Sequence, residues 1–205
     1  MEPVAPSPEH ALASVADGVV VVGASAGGVE ALTTFVRHLP PETPQAICIV
    51  LHVSPTGTSA MPEILGRAAR LPVHSPVNGE PLLAGHVYVA PPDHHLEIER
   101  GRVRLTQAPA EHGHRPAIDA TMRTAAEAYD DRVVGVVLSG ARDDGTAGLL
   151  AIKRHGGAAV VQDPEEARYP SMPSNAIANV SVDAVLALAQ MAQWLEHHRP
   201  HPVVS

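Results

Sequence analysis

The stretch VVVVGASAGGVEAL, residues 19–32, decides the fold of this chain. Its four consecutive valines place apolar side chains on both sides, as a strand buried on both faces of a sheet requires. The glycine-rich turn GASAGG (23–28) follows, and Val29–His38 then has helical spacing, with Leu32 and Phe35 on its apolar side. This stretch therefore predicts a buried strand that leads through a tight turn into a helix.

The same alternation of apolar runs and helical patterns continues along the chain. The sequence predicts strands at Gly18–Gly23, Ala46–Val53, Val87–Ala90, Val133–Ser139 and Ala158–Gln162. It predicts helices at Val29–His38, Met61–Ala69, Ala117–Tyr129, Ala147–His155 and Ser181–Glu196. Two further runs have the pattern of a hairpin around a glycine turn, Leu96–Glu99 and Arg102–Thr106. Because strands that alternate with helices need crossover connections, we expect an α/β fold with a doubly wound, mostly parallel sheet and a small β-hairpin.

The composition narrows the class of protein. The chain has 205 residues and a formal net charge of −8, whereas a nucleic-acid-binding protein needs a positively charged surface. Aromatic residues make up 2% of the chain, so the core must be aliphatic and stacking platforms for single-stranded nucleic acid are nearly excluded. The single cysteine, Cys48, excludes an intrachain disulfide and a cysteine-based zinc site. Its apolar surroundings indicate a buried, unreactive thiol.

The two ends of the chain differ in composition from the middle. Residues 1–17 are rich in Pro, Ala and Ser, which is typical of a flexible tail or the remnant of an interdomain linker. We expect one folded domain over residues 18–197 and a frayed C-terminus over residues 198–205. The start of the chain lacks the features of a signal peptide, and no apolar run is long enough to span a membrane. The expected location is therefore the cytoplasm, without membrane insertion.

The turn GASAGG (23–28) has three interpretations. In open α/β sheets, ligands bind beyond the carboxyl ends of the strands, where this turn lies. Its small residues allow a phosphate group to approach the backbone at the start of a helix, which attracts anions. Alternatively, Gly23-x-Ser25-x-Gly27 fits the G-x-S-x-G pattern of an exposed serine nucleophile, with helix N–H groups placed to stabilise an oxyanion. A turn that serves packing alone is the third interpretation.

Residues at two other strand ends favour the nucleophile. His52 lies at the end of the second predicted strand, where a dinucleotide-binding fold would place a carboxylate. An imidazole beside Ser25 is what activation of its hydroxyl requires, although a histidine at a strand end also has purely structural uses. Asp143 or Asp144 follows the strand Val133–Ser139 and supplies the carboxylate of a triad, unless it only caps the next helix.

The other histidines carry no specific signal for a metal ion. The chain has 13 histidines but no H-E-x-x-H motif. His94 and His95 are adjacent, so we expect them to point in different directions. His112 and His114 share a loop with Glu111 and are the strongest candidate metal ligands, but their spacing predicts no particular ion.

Six blocks of sequence, taken in order, are far more specific than the GASAGG turn alone. They are VVVVGASAGGVEAL (19–32), IVLHVSPTGTS (49–59), GHVYVAPPDHHLEI (85–98), HRPAIDATM (114–122), VVGVVLSGARDDGTAGLLAIKRHGGAAVVQD (133–163) and SMPSNAI (171–177). Together they resemble the catalytic domain of the chemotaxis protein-glutamate methylesterases, the CheB family, over roughly residues 19–195.

The resemblance implies a Rossmann-like three-layer fold, no metal and no cofactor. The family's catalytic serine, histidine and aspartate fall on Ser25, His52 and Asp144, so the resemblance also decides between Asp143 and Asp144. The implied reaction is hydrolysis of glutamate γ-methyl esters on the cytoplasmic helices of chemoreceptors, with release of methanol. Some members also deamidate receptor glutamines.

The surroundings of the reacting ester follow from the same resemblance and from charge. Candidates for an oxyanion hole are the backbone N–H groups near Ala26, Gly140 and Ala141. Receptor adaptation helices carry many carboxylates and this chain is net negative, so docking needs a basic rim at the site. The candidates for the substrate rim are Arg115, Arg142, Arg168 and Met172.

Departures from the family pattern leave a second function open. Ala141 replaces the family's usual methionine, Arg142 replaces a glycine, and Ser171 stands where glycine is usual. A catalytically altered CheB-like binding or signalling module is therefore the alternative to an active esterase. The family's usual N-terminal receiver domain has only a Pro-rich stretch in its place, so we expect a stand-alone member, an excised domain or part of a fusion. A receiver domain or a methyltransferase, fused or in trans, is an expected partner.

Overall fold

A computed structural model describes residues 14–54 and 59–198 of the chain. The described strands are β1 (Val19–Ala24), β2 (Ala46–Leu51), β3 (Val73–His74), β4 (Val87–Val89), β5 (His95–Glu99), β6 (Arg102–Thr106), β7 (Val133–Val137), β8 (Ala158–Gln162) and β9 (Ala184–Leu186). The described α-helices are α1 (Gly28–His38), α2 (Met61–Gly66), α3 (Ile118–Tyr129), α4 (Thr146–Arg154), α5 (Ser171–Asn179) and α6 (Leu188–His197). A single 3-10 turn, Asp130–Arg132, links α3 to β7.

Seven of these strands form one sheet in the order β3-β4-β2-β1-β7-β8-β9, and every neighbouring pair is parallel. The remaining two, β5 and β6, form an antiparallel hairpin. Parallel neighbours require crossover connections, most of which contain a helix; the short connection from β3 to β4 does not. The predicted α/β fold with a parallel, doubly wound sheet and a small hairpin is confirmed.

The run of valines in β1 explains the three layers. Val19 and Val21 pack with α3, α4 and α5 on one face of the sheet, whereas Val20 and Val22 pack with α1, α2 and α6 on the other. All four side chains are fully buried, since a strand covered on both faces exposes neither. Cys48 of β2 is buried in the first of these cores, as predicted. The predicted three-layer arrangement is therefore confirmed.

The order of the strands determines where a site forms. The first strand, β1, lies inside the sheet; β2, β3 and β4 lie on one side of it, with β3 at the edge, and the chain then crosses to β7 on the opposite side of β1. In open α/β sheets, ligands bind in the crevice at such a switch point, beyond the carboxyl ends of the strands. The segments after β2, β1 and β7 therefore meet at one edge of the sheet.

The predicted closing helix over Ser181–Glu196 is wrong in its first half. The segment instead forms strand β9 at the edge of the sheet, and α6 begins only at Leu188. Asp183 explains the difference, because its carboxylate accepts hydrogen bonds from Lys153 Nζ and from the backbone N–H of Ala159 in β8. These tertiary contacts override the helical spacing of the segment.

Two elements besides β9, a strand and a helix, were also missed by sequence reasoning, and several predicted bounds differ by a few residues. The short strand β3 and helix α5 were not predicted. Pro170 and Pro173 conceal α5 in the sequence, but a proline in the first turn of a helix loses no hydrogen bond. Strand β2 ends at Leu51 rather than Val53, and α2 ends at Gly66 rather than Ala69.

The ends of the expected domain are described only in part. Residues 1–13 and 199–205 of the expected tail and frayed end lie outside the described residues, as do residues 55–58 of one quoted block. Residues 14–16 contact the domain: Ala16 is buried and donates its N–H to Leu82 O, and Ala84 donates to Ser14 O. Within the described ranges, no helix is long and apolar enough to cross a membrane.

Candidate active site

Ser25 follows directly on β1 and lies at the start of the turn into α1. Its backbone N–H donates to Ser139 O, after β7, at 3.0 Å, and its carbonyl accepts from Gly28 N–H at 2.8 Å. The turn requires a left-handed residue, which is Gly27 with φ of 71°. A Cβ at Gly27 would lie 2.8 Å from Ser139 Oγ, so glycine is needed there for space as well as for conformation. The turn is thus fixed to the neighbouring strand, and the serine hydroxyl projects into the crevice.

His52 lies between Ser25 and Asp144 and contacts both. Its Nδ1 is 3.1 Å from Ser25 Oγ, and its Nε2 is 2.7 Å from Asp144 Oδ2. The backbone N–H of His52 donates to Ala24 O at 3.3 Å, which holds the end of β2 against the end of β1. Since a neutral imidazole has one donor and one acceptor, Nε2–H donates to the carboxylate and Nδ1 accepts from the hydroxyl. The chain therefore contains a serine, a base and an orienting carboxylate in hydrogen-bonded series.

Asp144 is buried and held by backbone donors as well as by His52. Its Oδ2 also accepts the N–H of Ile118 at 2.8 Å, and its Oδ1 accepts the N–H of Asp119 at 2.9 Å. Burial raises the pKa of Asp144, but the hydrogen bonds from His52, Ile118 and Asp119 outweigh burial and hold this pKa below its usual value. The carboxylate is therefore ionised at neutral pH. Asp143, the alternative from the sequence, is exposed and does not contact His52.

A second imidazole, His114, stacks on the ring of His52. The ring centroids are 3.6 Å apart and the planes differ by 5°. Burial, and then the proximity of His52, lower the pKa of His114 below the usual histidine value. Sequence reasoning singled out His112 and His114 only as possible metal ligands. Nothing in their spacing indicated that His114 stacks on His52. A cavity of about 240 Å³ opens beside His114 and Val53.

The three oxyanion candidates differ in whether their N–H groups are free. The N–H of Gly140 donates to Tyr169 O at 3.0 Å, so it does not serve an oxyanion, and this part of the expectation is corrected. Among the described residues, no acceptor lies within hydrogen-bond reach of the N–H of Ala26 or of Ala141. Gly140 contributes in another way, because a Cβ there would lie 3.0 Å from the Cβ of Ser25.

The candidates for the substrate rim also differ from one another, in burial and in the partners that they bind. Met172 is fully buried and contacts Gly140 from behind, so it supports the turn and is not part of an exposed rim. Arg115 is bound to the carboxylate of Asp93 and to backbone carbonyls. Arg168 is exposed and lies 3.4 Å from Glu30.

Arg142 is the rim candidate whose charge has no carboxylate partner among the described residues. It is exposed, and its φ of 70° places it in the left-handed region. Its carbonyl accepts a hydrogen bond from Asn175 Nδ2 at 2.7 Å, which fixes this backbone conformation. Arg142 therefore lies on a backbone turn that is held in place two residues before Asp144.

One group of described residues has the donor set for a metal ion: His112, Asp119 and Asp144, whose ligand atoms lie within 4.8 Å of one another. These atoms already form hydrogen bonds. His112 Nε2 donates to Asp119 Oδ2, and Asp144 Oδ2 accepts from His52. A cation at this position would have to compete with His52 for the carboxylate of Asp144.

Residues 20–195 match the model of the family described as CheB methylesterase. The chain belongs to the CheB methylesterase family. The crystal structure of the Thermotoga maritima CheB methylesterase catalytic domain has the same fold, with a TM-score of 0.83 and 32% identity, over 88% of this chain and 97% of that one. The resemblance seen in the six sequence blocks is thus confirmed.

Curated relatives in this family differ in length. A protein of Leptospira interrogans is 39% identical over 175 residues, which cover 85% of this chain and 91% of that protein. The protein-glutamate methylesterase/protein-glutamine glutaminase of Yersinia pestis is 37% identical over 179 residues, which cover 85% of this chain but 51% of that protein. The protein-glutamate methylesterase/protein-glutamine glutaminase 2 of Rhizobium johnstonii is 36% identical over 192 residues, which cover 52% of that protein. This chain therefore spans nearly all of one relative and about half of the others.

Proposed function

We propose that this chain is a serine hydrolase that removes methyl groups from glutamate γ-methyl esters on the cytoplasmic helices of chemoreceptors. The observation that carries the proposal is the series of hydrogen bonds from Ser25 through His52 to Asp144, at 3.1 and 2.7 Å. Membership of the CheB methylesterase family supports the same reaction. No metal or other cofactor takes part in the proposed mechanism.

In the first half of the reaction, Ser25 Oγ attacks the carbonyl carbon of the methyl ester. His52 Nδ1 takes the hydroxyl proton, and Asp144 stabilises the resulting imidazolium through Nε2–H. The negative charge on the carbonyl oxygen is stabilised by the free N–H groups of Ala26 and Ala141. The intermediate collapses, methoxide receives the proton from His52 and leaves as methanol, and the γ-glutamyl group remains esterified to Ser25.

In the second half, water attacks this acyl-enzyme by the same route. His52 Nδ1 takes a proton from the water, the oxyanion forms again at the same N–H groups, and the proton is returned to Ser25 Oγ as the acyl bond breaks. The products are the free enzyme and the receptor glutamic acid, which loses its remaining proton to solvent and becomes a carboxylate. A glutamine side chain would react in the same way with ammonia as the leaving group, and the relatives named glutaminase support deamidation as a second reaction.

Recognition of the receptor is proposed to depend on Arg142. The chain has a net charge of −8, so a receptor helix rich in carboxylates is repelled unless positive charge lies near the ester. We propose that Arg142 supplies this positive charge near the ester, whereas the charge of Arg115 is offset by Asp93. We place the protein in the cytoplasm with its receptor substrate, and we propose a receiver domain or a methyltransferase as a further partner.

The proposal is tested by methanol release from a methylated receptor fragment with Ser25→Ala. We expect turnover to fall on the order of 10⁶-fold, as for other serine hydrolases that lose the nucleophile, with the thermal midpoint unchanged. Ser181→Ala is the matched control, because Ser181 is exposed and distant in sequence from the site. Turnover by Ser25→Ala at the rate of the parent protein would exclude this mechanism.

Calorimetry with the same fragments tests the alternative of a binding or signalling module. An active esterase releases methanol from the methylated fragment and none from the unmethylated one. Binding of both fragments without methanol release from either would favour the module, for which the substitutions at Ala141 and Arg142 give the reason.

A further inference from the structure

A tight turn, Glu111–His114, brings two imidazoles to the side of the triad that faces α3. The N–H and carbonyl groups of Glu111 and His114 pair with each other at 2.8 and 3.1 Å. His112 and Gly113 between them have φ of 52° and 80°, both in the left-handed region. This is the geometry of a two-residue hairpin turn. Positive φ is uncommon for a residue other than glycine, so contacts that hold His112 stabilise this turn.

Helix α3 provides these contacts through two residues on one face. Glu111 is bound by both terminal nitrogens of Arg123, at 2.7 and 3.0 Å. One helical turn earlier, Asp119 Oδ2 accepts a hydrogen bond from His112 Nε2 at 2.9 Å. Positions four apart lie on the same side of a helix, so Asp119 and Arg123 fix the turn at two points.

The other oxygen of Asp119 binds the start of α4, the helix that follows Asp144. Its Oδ1 accepts the N–H groups of Gly145 and Gly148, at 2.9 and 2.6 Å. Asp144 in turn accepts the N–H groups at the start of α3, including that of Asp119. Asp119 therefore caps the start of α4, the helix that directly follows Asp144. Asp144 caps the start of α3, the helix that carries Asp119. The position of Asp144 depends on that of Asp119.

His112 offsets part of the unfavourable electrostatic environment of the Asp119 carboxylate. Asp119 is fully buried, and burial and the charge of Asp144 both raise the pKa of Asp119 above its usual value. The N–H groups of Gly148 and Gly145, and the proximity of His112, act in the opposite direction. Without His112, Asp119 Oδ2 would have no hydrogen-bond partner among the described residues and would remain beside a second carboxylate.

We propose that Asp119, held in place by His112, is a positioning residue of the hydrolase: it fixes the turn that carries Asp144 and thereby holds Asp144 against His52. Neither Asp119 nor His112 touches the substrate. The proposal rests on the proposed function, because it assigns a role at the same triad. It predicts that loss of Asp119 lowers kcat and leaves receptor binding intact.

The test uses Asp119→Ala, Asp119→Asn and His112→Ala, with Glu127→Ala as the matched control on the exposed side of α3. We expect Asp119→Ala to lower kcat for methanol release about 10- to 100-fold, with KM within twofold, since small displacements of catalytic groups have effects of this size. Asp119→Asn keeps an oxygen for Gly145 and Gly148, so we expect it to restore kcat to within about threefold. His112→Ala should lower kcat by less than Asp119→Ala does.

A second readout is independent of the ester chemistry. The proton on His52 Nε2, bonded to Asp144 at 2.7 Å, should give a far-downfield resonance in proton NMR spectra. We expect this resonance to broaden or disappear in Asp119→Ala and in His112→Ala, and to persist in Asp119→Asn and in Glu127→Ala. If the parent protein released no methanol, the proposed function would fail while these spectra still tested the positioning role.

Two results would overturn the proposal. One is that kcat and the resonance both stay at parent values in Asp119→Ala or, if that variant does not fold, in His112→Ala, whose side chain is exposed. The other is that KM rises while kcat is unchanged, which would assign these residues to receptor binding.

Discussion

The rings of His52 and His114 lie face to face, with centroids 3.6 Å apart and planes within 5° of each other. This contact covers one face of the imidazole that links Ser25 to Asp144, so the ring plane is defined by packing as well as by its two hydrogen bonds. Because the pKa of His114 is lowered by burial and by His52, His114 remains neutral and adds no repulsion when His52 accepts a proton. The stack thus orients the base without placing a second positive charge beside it at neutral pH.

Replacing His114 should therefore affect the chemical step. We expect His114→Ala to lower kcat about tenfold or more with little change in KM, because His52 loses a surface that restricts its rotation. His114→Phe keeps a flat ring and should recover most of the lost kcat. Steady-state methanol release measures both parameters, with His38→Ala on the exposed surface of α1 as the control. Equal losses in the alanine and phenylalanine variants would contradict a role for stacking.

Gly140 should not tolerate a methyl group. A Cβ there would lie 2.6 Å from Met172 Cε and 3.0 Å from Ser25 Cβ. The methionine end can move but the serine Cβ cannot, so we expect Gly140→Ala to lower kcat at least about 100-fold by displacing the nucleophile. Gly66→Ala is the control, since the nearest atom to its added Cβ is 3.9 Å away.

A double variant separates the two contacts of Gly140. Adding Met172→Ala to Gly140→Ala removes the clash with the methionine but not the contact with Ser25. We expect this change to relieve the steric strain at Met172 without restoring kcat. Full recovery of turnover in the double variant would mean that Met172, and not Ser25, is what the methyl group displaces.

Two half-buried histidines, His86 and His114, should make the domain less stable in acid. Burial lowers the pKa of His86 and of His114 below the usual 6.5, and neighbouring histidines lower both further. Between the folded and unfolded pKa values the unfolded chain binds more protons, so the free energy of unfolding falls as the pH drops through about 6.5. Urea unfolding at about pH 7.5 and pH 5.5 measures the difference.

His86→Leu should reduce this pH dependence. The Nδ1 atom of His86 is buried and has no hydrogen-bond partner among the described residues, so its replacement removes a group that is costly to bury, above all when charged. The stability lost between the two pH values should be smaller than in the parent protein, and His38→Leu, at an exposed histidine, should leave it unchanged. If His86→Leu and the parent protein lost the same stability between the two pH values, His86 would not be a source of the acid sensitivity.

Reversing the charge of Arg142 should weaken the reaction with receptor through association. We expect Arg142→Glu to lower kcat/KM about tenfold at low salt, with a smaller difference at high salt, because charges that steer an encounter are screened by ions. Arg115→Glu is not a clean comparison, since it would also break the pair with Asp93, whereas Arg168→Glu tests the exposed pair with Glu30. A deficit for Arg142→Glu that is independent of salt would point to a structural effect of the turn.

Sequence reasoning reached Ser25, His52 and the pair Asp143 or Asp144 because each follows a strongly apolar strand, and parallel strands bring their carboxyl ends to one edge. The choice of Asp144 came from the family resemblance, and Asp144 is the one that contacts His52. Sequence reasoning could not reach Asp119, because a helix-starting aspartate looks the same whether it caps its own helix or another one. It also retained Gly140 as an oxyanion donor, since no sequence pattern indicates that Tyr169 O accepts that N–H. The edge strand β9 was missed for a similar reason: its partner, β8, is reached only through tertiary pairing.

Because Cys48 is buried, the folded protein should not react with thiol reagents. This is the only cysteine of the chain, it lies in β2 between β1 and β4, and burial raises the pKa of its thiol. A cysteine introduced at Arg142 would therefore be the one site that a dye or spin label modifies in the native state. Slow labelling of Cys48 itself would record how often the centre of the sheet opens to solvent.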